Sequence, residues 1–126
     1  GIETGAEFAV GEISGKVGAK IFSKIFKAKG TNVVYQGVDA DNIIRYIGIT
    51  ERDPIVRFTE HLSSKTIRST LKYDVIEGYT KLTREQARYW EQTFINKYGL
   101  GKNGGQLYNK INSISPDFWK QFGIKK

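Results

Sequence analysis

Residues 33–61 read VVYQGVDADNIIRYIGITERDPIVRFTEH, and how this stretch folds decides the rest of the chain. Two Val/Ile/Tyr-rich runs, VVYQGV and IIRYIGIT, flank the polar tetrapeptide Asp39-Ala40-Asp41-Asn42. A short polar loop between two such runs predicts a β-hairpin. A turn centred between Ala40 and Asp41 sets Tyr35 opposite Tyr46. The two phenols then share one sheet face, about 5 Å apart, with Gln36 and Arg45 on the other. Asp53-Pro54 next opens a helix, as an N-cap followed by the residue best tolerated in a first turn. On that helix Arg57 and His61 are four apart and share a face.

Further along, Ser63 to Ser69 reads as a polar connection and Leu71-Lys72-Tyr73-Asp74-Val75-Ile76 as a third strand. Strands are expected near 32–38, 43–50 and 70–77. Thr83-Arg84-Glu85-Gln86 is a capping box, and the helix it starts should run to Tyr98 and stop at Gly99. Ala87, Trp90, Phe94, Ile95 and Tyr98 form its apolar side, with Glu91 beside them. Gly99 to Gly105 is a glycine-rich loop without a phosphate-binding fingerprint. Leu107 to Ile114 suggests a short turn, and Ser115-Pro116-Asp117 the start of a last helix with Phe118, Trp119 and Phe122. Ahead of the hairpin, Ile13, Val17, Ile21 and Ile25 recur every four residues, with Phe22 and Phe26 beside them and Lys16, Lys20, Lys24 and Lys27 at the margin. That pattern predicts a basic amphipathic helix. The division is therefore an N-terminal helical or linker segment over 1–30 and a single domain over 31–126. The class is α/β (α+β), with a small three-stranded antiparallel sheet flanked by helices.

The chain has 126 residues, 39% hydrophobic and 26% charged, which suits a globular domain with a modest core. Without cysteine, disulfides, thiol catalysis and cysteine-ligated zinc are excluded, and one histidine excludes a multi-histidine metal site. No apolar run approaches the roughly 18 residues that span a bilayer, so stable membrane insertion is not expected. The absence of methionine suggests a released or cloned piece of a longer polypeptide. Of the net charge of +7, residues 81–126 hold nine basic and three acidic side chains. Such concentration favours an anionic partner, with nucleic acid first. Lys97, Lys102 and Lys110 are the candidate contacts.

Tyr35, Tyr46-Ile47-Gly48, Arg57 on the following helix, Glu91, and Tyr108-Asn109 together resemble the GIY-YIG nuclease family, over roughly residues 33–109. The family's first tripeptide is Gly-Ile-Tyr; here it is Val33-Val34-Tyr35, so only the tyrosine matches. The resemblance implies a metal-dependent endonuclease with Tyr35, Tyr46, Arg57, Glu91 and Asn109 as catalytic residues; His61, on the helix face of Arg57, joins them as a candidate. Glu91 would hold Mg²⁺ or another divalent cation, which often takes a single protein carboxylate and keeps several waters. Arg57 would offer a positive fork to the scissile phosphate. Tyr35 would orient or deprotonate the attacking water, supported by Tyr46, with His61 as a proton acceptor or phosphate contact.

DNA is the expected substrate. An RNase, a repair or homing endonuclease fragment, and a catalytically silent nucleic-acid-binding module are the alternatives. The small-residue stretch before residue 31 is similar to those preceding C-terminal toxin domains of bacterial polymorphic toxins of the contact-dependent inhibition type. That likeness implies a secreted or cell-surface precursor, action in a target cell's cytoplasm, and an acidic cognate immunity protein.

Overall fold

A computed structural model describes residues 28–126; the amphipathic helix expected within residues 1–30 lies almost wholly outside them. The centre of the fold is a three-stranded antiparallel sheet in the order β2-β1-β3, with β1 at Val33–Val38, β2 at Ile44–Thr50 and β3 at Lys72–Val75. Each strand falls within its expected span, so the α+β class and the hairpin stand.

The hairpin register does not match the expectation. Tyr35 pairs with Gly48, and Tyr46 pairs with Gly37. The cause is local. Asp39 accepts the backbone N–H groups of Asp41 at 2.9 Å and Ile43 at 3.0 Å, and Asn42 takes a left-handed φ of 63°. These bonds close the loop over residues 39–43 rather than 39–42, since the Asp39 N–H donates to the Ile43 carbonyl. Pairing then resumes at Val38 with Ile44, and Arg45 is an extra residue before Gly37 meets Tyr46. The loop and the bulge together move the pairing by two positions, which keeps every side chain outside the bulge on its face. Tyr35 and Tyr46 therefore still share a face, as diagonal neighbours rather than opposed ones. Gln36 lies on the other face opposite Ile47. Arg45, freed by the bulge, bonds Asp39 at 2.8 Å and the Gln106 carbonyl at 3.1 Å.

Helix α1, Pro54–Leu62, begins where Asp53 accepts the Ile55 N–H at 3.0 Å. It brings Phe58 and His61 against the Tyr35 face of the sheet. The third strand is shorter than expected because residues 67–70 form a 3-10 turn. There the hydroxyls of Ser69 and Thr70 bond the carbonyls of Thr66 and Ile67 at 2.9 and 2.6 Å, competing with strand pairing.

Helix α2, Arg84–Tyr98, has the expected capping box and ends at Gly99, whose φ is 85°. It packs Ala87, Trp90 and Ile95 with Val34, Ile47, Leu82 and Leu107 into the main core on the other face of the sheet. Its buried surface also takes in Gln86, whose side chain accepts the Thr83 N–H and donates to the Ala28 carbonyl. Tyr89 and Gln92 are buried there too: Tyr89 shares the core with Ile114 and Ile124 of the C-terminal segment, and Gln92 accepts the Ile114 N–H. The last helix, α3, is a short Trp119–Phe122 piece after a 3-10 turn at Pro116–Phe118. Among the described residues no helix is long and apolar enough to cross a membrane.

β2 is an edge strand, and residues 106–109 run along its open side. The Gln106 side chain donates to the Ile44 carbonyl at 3.0 Å and the Tyr108 N–H donates to the Arg45 carbonyl. The Asn109 amide then both accepts from Ile47 N at 3.1 Å and donates to Ile47 O at 2.8 Å. Pairing of this kind satisfies an exposed edge without adding a strand.

Candidate functional site

The site begins at a buried contact between Tyr35 and His61. Tyr35 is 1% exposed and His61 3%, and the phenol oxygen lies 2.7 Å from His61 Nε2. Gly48 makes this possible. A Cβ there would fall 2.4 Å from both Cζ and Oη of Tyr35, so only a glycine lets the ring lie across β2. Gly37 has a similar relation to Tyr73, whose Cε1 would be 2.7 Å from a Cβ. Around the pair stand Tyr46, its ring 5.0 Å from that of His61, and Tyr73, stacked on His61 at 4.8 Å and 13°. Phe58 closes against Tyr35 edge-on at 5.3 Å.

This aromatic enclosure sets the ionisation states. Burial first, then the positive charges of Arg57 and Arg68, depress His61 from 6.5 to about 4, so the imidazole is neutral at physiological pH. Burial and the neighbouring Tyr46 hold the Tyr35 phenol well above its usual range, although Arg57 pulls it down. Tyr73 is raised to about 12, again mainly by burial. A neutral phenol facing a neutral imidazole can donate its proton to Nε2, which is an acceptor when the ring proton sits on Nδ1.

Arg57 borders this pair from its own helix and is held by Glu60 at 3.2 Å. Glu60 also takes Arg52 at 2.6 Å, so one carboxylate orients two guanidinium groups. Arg68 approaches from the 3-10 turn, its guanidinium 4.7 Å from the Tyr46 ring centroid.

Beside β2 lies a cleft of about 480 Å³ lined by Tyr46, Arg68, Glu91, Asn109, Lys110 and Ser113 among others. Glu91 reaches it from α2. Burial raises its carboxyl above the usual range, against the neighbouring Ser113 hydroxyl and the charges of Arg88 and Arg84. No lysine or arginine forms an ion pair with it among the described residues. A half-buried carboxylate without a paired cation, lining a cleft of this size, fits a divalent cation that brings its own waters. No set of three His, Asp or Glu side chains converges among the described residues, so Glu91 would be the sole charged ligand. Compared with known families, characterised proteins and solved structures, the chain matches none.

Of the residues singled out from the sequence, Tyr35, Tyr46, Arg57 and His61 come together, and Glu91 meets them through the cleft at Tyr46. Asn109 lines the same cleft but commits both ends of its amide to Ile47. Lys110 is in the cleft wall. Lys97 lies over the Tyr98 ring at 5.4 Å and Lys102 is exposed in the 3-10 turn after α2; neither lines the cleft. Two residues were missed. Tyr73 could have been found, since alternation along the third strand puts it on one face with Leu71. Arg68 gave no signal, because its segment reads only as polar connection. Gln92 is a further surprise: fully buried, it accepts from Ile114 N at 2.9 Å and donates to Asn96 and Asn112, both at 2.9 Å. It thereby ties the cleft loop to α2 one residue from Glu91.

Proposed function

We propose that this domain is a GIY-YIG-type endonuclease that hydrolyses phosphodiester bonds, with DNA as its substrate and a divalent cation as its cofactor. The observation that carries the reading is the 2.7 Å contact between Tyr35 and His61, bordered by Arg57 and opening through Tyr46 on the Glu91 cleft. A free phenolate at Tyr35 is costly in this enclosure. Tyr35 therefore acts as a neutral phenol, its hydroxyl fixed by a hydrogen bond to His61 Nε2 so that its oxygen orients the attacking water. His61 is neutral and able to accept. Arg57 presents its fork to the phosphoryl oxygens, where charge builds in the transition state. Glu91 would hold Mg²⁺, which when bound neutralises charge on the phosphoryl and leaving oxygens. Asn109 acts on the backbone of β2, fixing the strand that carries Tyr46.

The wider setting, a toxin effector restrained by an acidic immunity protein, rests on the small-residue composition before residue 31 and on the net charge of +7. The test of the activity is incubation with supercoiled plasmid and with total RNA, in Mg²⁺ and in EDTA. Mg²⁺-dependent nicking of plasmid that disappears in Tyr35→Phe is the expected result. Degradation of RNA alone would make it an RNase, and no cleavage of either would overturn the nuclease reading.

A further inference from the structure

We infer that Arg68 and Lys110 form a second phosphate site in the Glu91 cleft, holding a backbone phosphate that flanks the one contacted by Arg57. The inference rests on reading this cleft as the path of a nucleic-acid strand.

Arg68 differs from the other arginines around it. Arg45, Arg52 and Arg57 direct N–H groups to Asp39 and Glu60, and Arg88 to the Ser113 carbonyl. Arg68 makes no side-chain hydrogen bond and no ion pair among the described residues. It is nonetheless held in place. Its backbone N–H is capped by Thr66 at 3.3 Å, its carbonyl accepts from Tyr73 Oη at 2.6 Å, and its guanidinium rests on Tyr46. The ring contact ties up none of the guanidinium N–H groups in a hydrogen bond, which leaves them available to a planar, bidentate acceptor. A phosphodiester offers such a pair of oxygens.

Lys110 supplies the second charge. It is exposed in the cleft wall and follows Asn109, whose amide is fixed to Ile47. Both cations are thus anchored to the same strand, Arg68 through the Tyr46 ring and Lys110 through the Ile47 backbone. An uncompensated Arg and Lys beside a carboxylate suit an anion and a cation bound together, as a phosphate backbone with a divalent metal would be.

The test uses a fluorescently labelled DNA duplex in EDTA, with affinity read by anisotropy over a salt series. Each lost phosphate contact lowers the slope of log K against log salt by roughly 0.9 for duplex DNA. Arg68→Gln and Lys110→Gln are each expected to flatten the slope by about that amount, while Arg68→Lys keeps it. Lys72→Gln removes the same charge from the opposite face of the sheet and is expected to leave the slope at the parent value. Lys110 is exposed, so its variant folds even if Arg68→Gln does not. A parent-like slope for Lys110→Gln and folded Arg68→Gln, or equal flattening by Lys72→Gln, overturns the inference. Plasmid cleavage by the parent in Mg²⁺ is run beside it. Cleavage with unchanged slopes removes the second site alone, and flattened slopes without cleavage remove the nuclease reading alone.

Discussion

Replacing Gly48 by alanine tests the geometry on which the site depends. Gly48 has no left-handed φ, so its strand backbone accepts alanine. On backbone grounds alone the change should add about 0.4–1 kcal/mol of stability by restricting the unfolded chain. The tertiary structure reverses the sign. The new methyl would fall 2.4 Å from the Cζ and Oη of Tyr35, a ring that is 1% exposed and enclosed by Phe58, Tyr46, Tyr73 and His61. Overpacking of this kind costs about 1–3 kcal/mol, and displacing the phenol adds roughly 1 kcal/mol or more for its buried bond to His61. A net loss of about 1–3.5 kcal/mol is expected in urea unfolding followed by tryptophan fluorescence. Loss of plasmid cleavage should accompany it, since the phenol no longer reaches Nε2. A double-mutant cycle isolates the cause: in a Tyr35→Ala background Gly48→Ala should cost little, because the ring it strikes has gone. A Gly48→Ala protein as stable as the parent, or an equal cost in both backgrounds, would refute the reasoning.

His61 prefers its neutral form in the fold, with its affinity for a proton moved from 6.5 to about 4. Its contribution is therefore complete above pH 6.5 and lost as pH falls toward 4, about 1–3 kcal/mol in all; urea midpoints across that window should show an acid decline that His61→Gln lacks. Glu91 has the opposite sign: burial favours its protonated form, so its contribution is present at acid pH and lost as pH rises above the ordinary carboxyl range. Glu91→Gln should accordingly melt at or above the parent temperature at pH 7 while cleavage drops by about 10²–10³, and parent-like cleavage would remove the metal role. Gln92→Ala strips partners from Ile114 N, Asn96 and Asn112 and should destabilise by about 2–4 kcal/mol. A change below about 0.5 kcal/mol in its unfolding free energy would mean that the network does not hold the cleft loop.

The sequence alone determined what local physics controls. Alternating Val, Ile and Tyr around a polar loop sufficed for the hairpin, Asp53-Pro54 for the start of α1, and the Thr83–Gln86 box with Gly99 for both ends of α2. Each is decided by backbone groups within a few residues, which neighbours in the chain can satisfy. The shared face of Tyr35 and Tyr46 was readable for the same reason, because side chains alternate with a period of two and a two-residue slip preserves it. The register was not readable. It depends on Asp39 drawing Ile43 into the loop and on Arg45 leaving the ladder to meet Asp39 and Gln106, a residue distant in sequence. The enclosure of His61, the seating of Arg68 on Tyr46 and the burial of Gln92 likewise join segments far apart in the chain. Such contacts form only when β3, α1 and the 106–114 segment close on the hairpin together, and no periodicity within a single segment encodes them. The tertiary structure alone decided which of the basic residues face the cleft, because position in three dimensions, not spacing along the chain, puts Lys110 and Arg68 in its wall and leaves the exposed Lys97 and Lys102 outside it.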